Sequence, residues 1–134
     1  MTYHDAVRNA LVKDNWDITH DPLKLPWGRR DLFVDLGARK VLAAEKEGRK
    51  IAVEIKSFRG ASLVHDLERA IGQFVLYRSL LAREEPDRML YLAIPEPILK
   101  DIYAEQLADV LLEDELARIF AFDAKEEVIT RWIP

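Results

Sequence analysis

Met89-Leu90-Tyr91-Leu92-Ala93-Ile94 is a nearly continuous apolar run. Such a run is the pattern of a strand buried on both faces, which needs cover above and below. The rest of the chain supplies elements for that cover. Tyr3, Val7, Ala10 and Leu11 recur at helical spacing and predict an amphipathic helix over 3–14. Leu63, Leu67, Ala70, Ile71, Phe74 and Leu81 predict a long helix from Gly60-Ala61 to about Arg83, stopped before Pro86.

The remaining segments read as strands, one more helical region and turns. Trp16, Ile18 and His20 alternate with polar neighbours as a short strand, and Leu32-Phe33-Val34-Asp35-Leu36 is a second, broken by Gly37. Pro22 and Pro26-Trp27-Gly28 punctuate a loop between them. Val41 to Glu45 and Ile51 to Ser57 flank a polar stretch containing Gly48 and predict a hairpin. Pro95 and Pro97 open one helical region through Ile98, Ile102, Leu107, Val110 and Leu111; Ile119–Phe122 and Val128–Ile133 read as two closing strands around a charged turn. The order α-β-β-β-β-α-β-α-β-β describes a mixed α/β fold with helices packed on a central sheet, in a single domain over 1–134.

Composition excludes several classes of function. With no cysteine there are no disulfides, thiolate zinc sites or thiol nucleophiles, which fits a reducing cytosol. No apolar run reaches the length of a membrane span and the N-terminus has no leader pattern, so a cytoplasmic location is expected. The net charge of -4 hides an asymmetry. Residues 24–60 hold ten bases and five acids, while residues 96–127 hold three bases and ten acids. A phosphate ligand is drawn to the first region and repelled by the second, though charged loops also simply solubilise a surface.

The chemistry concentrates in Ile51-Ala52-Val53-Glu54-Ile55-Lys56-Ser57. Side chains alternate along a strand, so Ile51, Val53 and Ile55 share one face and Ala52, Glu54 and Lys56 the other. A one-residue slip would bury a carboxylate and an ammonium, which fixes the register. If the strand carrying Asp35 runs beside this one, Asp35 and Glu54 converge, and two close carboxylates call for a proton or a cation between them. A hard divalent ion, Mg²⁺ or Mn²⁺, with the Ile55 carbonyl as a further oxygen ligand, suits that set. Lys56 would then orient a water whose acidity the metal raises, a constellation for phosphodiester hydrolysis. A Glu-x-Lys on a strand is also a common solvated surface pair.

Secondary candidates surround this core. Gln73 and Tyr77 are four apart on one helical face, placed to hold water or phosphate, or to cap a sheet edge and fill the core. Trp27 with Arg29 and Arg30 suits base stacking and phosphate contact, or cover of a sheet edge. His4 and Asp5 on the first helix are possible contributors from the side. The three histidines show no paired metal spacing, and no phosphate-binding glycine loop or nucleophile elbow is present.

The order Asp35, Glu54-Ile55-Lys56, Gln73 resembles the PD-(D/E)xK nuclease superfamily. More closely, His4–Leu11, Trp16–Pro22, Asp35–Ala38, Ile51–Phe58, Asp66–Ala70, Gly72–Phe74 and Pro86–Pro95 resemble the XisH-like family of fdxN-element excision controlling factors. The resemblance implies a restriction-endonuclease-like fold, with Asp35 and Glu54 as metal ligands, Lys56 assisting the attacking water and Gln73 in support. It also implies DNA as a partner and an accessory role in programmed excision beside a separate site-specific recombinase. Val34 stands where the superfamily often has proline, and the first helix carries no glutamate. A homodimer is expected from the pairing habit of such nucleases. The alternative is a non-catalytic adaptor on the same fold, which binds DNA or the recombinase.

Overall fold

Glu47 and Gly48 both adopt positive φ, 52° and 81°, which is the two-residue turn whose twist matches a β-hairpin. It joins β4 (Val41–Lys46) to β5 (Arg49–Ile55), with Lys46 opposite Arg49 and Val41 opposite Glu54. The computed structural model describes residues 3–24, 26–27, 30–31 and 41–133. Before the hairpin come α1 (His4–Lys13), β1 (Asp17–His20) and a small ribbon of β2 (Pro26–Trp27) against β3 (Arg30–Asp31). After it come α2 (Leu63–Glu84), β6 (Arg88–Pro95), α3 (Glu96–Ala104), α4 (Ala108–Glu113), β7 (Ile119–Asp123) and β8 (Val128–Ile133). The strand expected at Leu32–Leu36 lies outside the described residues.

Six strands form one open mixed sheet in the order β1-β4-β5-β6-β7-β8. The β5-β6 and β6-β7 pairs are parallel and the others antiparallel. Parallel neighbours require a crossover, and α2 makes the first while α3 and α4 make the second. On the crossover side Ala52, Leu92, Ile94 and Ala121 pack with Phe74, Tyr77 and Ile102. On the other side Ile51, Val53, Tyr91 and Phe120 pack with Val7 and Leu11 of α1. The apolar run of β6 is therefore covered on both faces, as its sequence predicts.

Helix ends explain where sequence periodicity misplaces a helix. α1 closes with Asn15 at φ 68°, Asn15 N donating to Val12 O and Trp16 N to Leu11 O. That is a Schellman closure with a left-handed residue, and it turns Trp16 into the core beside Trp132, 5.9 Å between ring centroids. The same device at Gln106 (φ 60°), with Leu107 N donating to Ile102 O, splits the expected single helix into α3 and α4.

At the start of β6, Arg88 is buried and its guanidinium grips both carboxylate oxygens of Glu85 at 3.2 Å while donating to Ile51 O at 3.1 Å. This fork ties the end of α2 to β5.

Candidate functional site: a buried carboxylate, a lysine and a glutamine

Glu54 and Lys56 follow β5 alternation onto the crossover side of the sheet, the side that α2 covers. The alternative reading of Glu-x-Lys as a solvated surface pair does not fit Glu54, which is buried. Glu54 is 2% exposed and the Lys56 side chain 18%. Lys56 Nζ stands 3.2 Å from Glu54 Oε1 and donates to Gln73 Oε1 from α2. Lys56 lies one residue past β5, yet its backbone N–H still donates to Ala93 O at 2.9 Å, so the ladder holds it in line.

α2 starts where this geometry needs it. Ser62 accepts from His65 N as N-cap, and Asp66 in the first turn accepts from Gly60 N at 2.9 Å. A Cβ on Gly60 would stand 2.5 Å from Asp66 Oδ1, so a larger residue there would push the Asp66 carboxylate aside. The turn between β5 and α2 is thus closed against the helix, and Gln73 faces back over Lys56.

Beside the pair opens a polar cleft of about 210 Å³, lined by Lys56, Ser57, Arg59, Asp66, Arg69 and Gln73 among others. Three cations face one carboxylate there, an arrangement suited to an anion. The Arg59 guanidinium also sits 5.1 Å over the Tyr3 ring. Sequence reading missed Arg59, within the loop between β5 and α2, and Arg69, about two turns into α2.

The other expected residues fall in different places. Tyr77 shares the Gln73 face but is 2% exposed in the core beneath α2, so its ring packs rather than facing the surface. His4 pairs with Asp21 at 2.9 Å, Arg8 joins the same carboxylate at 2.5 Å, and Asp5 is exposed. Their helix covers the sheet face opposite Glu54. Partial burial pushes the Asp21 carboxyl upward, and the hydrogen bonds and charges of His4 and Arg8 outweigh it, holding that carboxyl below its ordinary range.

Asp35 and Arg29 lie outside the described residues, and Trp27 and Arg30 are described through their backbone alone. β5 is flanked by β4 and β6 along its length. Among the described residues no three His, Asp or Glu side chains cluster as a metal site. Nor, among them, is any helix long and apolar enough to cross a membrane.

Comparison with known proteins gives the frame for this geometry. A crystal structure of an fdxN element excision controlling factor protein from Anabaena variabilis is 39% identical, with a TM-score of 0.85 and 98% of each chain covered. A crystal structure of an XisH family protein from Nostoc punctiforme is 38% identical, with a TM-score of 0.84 and the same coverage. No curated protein matches. The XisH protein family model matches residues 1–130, and the chain belongs to the XisH family.

Proposed function

We propose that this chain is a metal-dependent, nuclease-like factor of the PD-(D/E)xK type that acts on DNA during excision of a genetic element. The observation that carries the reading is the Lys56 ammonium held between a buried Glu54 and Gln73. A lysine fixed by two partners beside a cationic cleft is what positioning a water against a phosphodiester requires. The Anabaena relative, an fdxN element excision controlling factor protein, supplies the biological setting.

The donor set suits a hard divalent ion. Asp35, Glu54 and the Ile55 carbonyl are oxygen ligands of the kind Mg²⁺ or Mn²⁺ takes. When bound, such an ion makes water more acidic and neutralises a phosphate oxygen. Val41 is opposite Glu54, and Asp35 is six residues upstream of Val41. At ~3.5 Å per residue its reach is about 20 Å, which includes the Glu54 carboxylate. Lys56 orients the water, Gln73 holds Lys56, and Arg59 with Arg69 takes a neighbouring phosphate of the backbone.

The test is cleavage of duplex and branched DNA with Mg²⁺ or Mn²⁺. Glu54→Gln and Lys56→Met abolish cutting by this reading, while circular dichroism shows the fold retained. Undiminished metal-dependent cutting by Glu54→Gln overturns it.

A second reading has its own observation. Lys56 already meets Glu54 directly, which is also how a structural ion pair is built on a non-catalytic adaptor. Absence of Mg²⁺ or Mn²⁺ uptake with DNA present, and of cutting on any branched substrate, favours that adaptor.

A further inference from the structure

α2 keeps a second apolar face that the described residues leave open. Its inner face buries Leu67, Ala70, Phe74, Tyr77 and Leu81. Outside, Val64, Val75 and Leu76 are 47%, 39% and 52% exposed. With α4 this outer side forms an apolar groove of about 430 Å³, lined by Val64, Ile71, Gly72, Leu107, Val110 and Leu116 among others. Val110, on the α4 wall, is 49% exposed.

Gly72 makes the groove more than leftover surface. It sits in the middle of a 22-residue helix, and a Cβ built on it meets no atom within 4 Å. A glycine inside a helix costs about 1 kcal/mol relative to alanine. Nothing in the described chain requires that sacrifice. A backbone from outside that approached closely along α2 would.

The charge of the segment that contains the α4 wall says what kind of backbone. From Glu105 to Glu115 the chain has five acids and no base, and Glu68 lines the groove from the α2 side. A second copy would bring another acidic 105–115 segment and another Glu68 to the groove. A basic partner meets opposite charge there.

We propose that the groove between α2 and α4 receives an amphipathic helix with a basic flank from a different protein, its apolar face seated over Gly72. The stripe from Val64 to Val75 covers eleven helical rises, about 16 Å, enough for three turns of a guest helix laid by its i, i+3 and i+4 positions. The site is distant in chemistry from the polar cleft at Lys56, and the inference stands whether or not the chain cuts DNA.

The experiment uses a fluorescent amphipathic peptide of Leu and Lys, about 15 residues long, and a control with Glu in place of Lys. Anisotropy measures affinity, and amide NMR shifts of the full chain locate the contact. The Leu/Lys peptide is expected to shift Val64, Ile71 and Val110 and to bind at least about tenfold more tightly than the Leu/Glu control. Gly72→Trp fills the groove and Val110→Lys puts a cation on its apolar wall, each weakening binding by about tenfold or more. Both positions are exposed, so the fold is expected to survive, with thermal unfolding as the check. Equal binding of the two peptides, no binding, shifts elsewhere, or undiminished binding by the variants overturns the proposal. So does sedimentation showing a dimer that Gly72→Trp dissolves, which assigns the groove to a second copy.

Discussion

Lys56 Nζ lies 3.2 Å from Oε1 of Glu54, a carboxylate only 2% exposed, and is held from above by Gln73. An ion pair this enclosed does not behave as a surface pair. Removal of one partner strands a charge in a poorly solvated place, while removal of both leaves packing largely intact.

That asymmetry gives a stability prediction independent of catalysis. Lys56→Met is expected to destabilise the fold by about 3 kcal/mol, read from urea unfolding. Adding Glu54→Gln to it is expected to recover most of the loss. A double variant as unstable as the sum of the two singles contradicts the coupling.

Arg88 offers a second test, of the sheet rather than the site. Its guanidinium bonds Ile51 O and both oxygens of Glu85. Arg88→Lys keeps the charge but loses the fork, and is expected to lower stability by roughly 2 kcal/mol. An unchanged urea midpoint contradicts the role given to the fork.

Gly72 and Gly60 are expected to respond in opposite directions. Gly72→Ala adds a methyl into open space on a helix and is expected to stabilise by about 0.5–1 kcal/mol. Gly60→Ala drives a Cβ to 2.5 Å from Asp66 Oδ1 and disturbs the Gly60 N–Asp66 bond, so its melting temperature is expected to fall. Equal melting temperatures for the two variants contradict this account of the loop between β5 and α2.

Asp21 sets a pH dependence. Its carboxyl is held below the ordinary value by His4 and Arg8, against the opposing effect of burial. A depressed folded-state value contributes stability above the unfolded carboxylate range, near pH ~3.9, and that stability is lost as pH falls through the folded value. Asp21→Asn is expected to flatten unfolding free energy against pH below about pH 4, with little change in shape above it. A variant that keeps the full acid slope contradicts the assignment to Asp21.

Much of this was legible in the residues. The β6 run declared its two-sided burial, and the alternation in β5 put Glu54 and Lys56 on one face. What periodicity could not show was that α2 covers that face, because an Ala-Glu-Lys alternation reads the same whether its neighbour is water or a helix. Nor could it show the break at Gln106. Left-handed closures usually announce themselves with glycine, and this chain uses Asn15, Gln106 and Glu115 at positive φ instead. Arg59 and Arg69 converge on the cleft from separate elements, a tertiary relationship with no local spacing. Arg88 was hidden in the same way, since a lone arginine before a strand carries no mark of the carbonyl it will meet.

The most direct measurement is anomalous diffraction from crystals of the full chain soaked in Mn²⁺. The account predicts one peak per chain, in contact with the carboxylates of Asp35 and Glu54 and beside Lys56, lost in Glu54→Gln crystals. A soak that yields no peak there, or one in which Asp35 stands too far from Glu54 to share an ion, contradicts it.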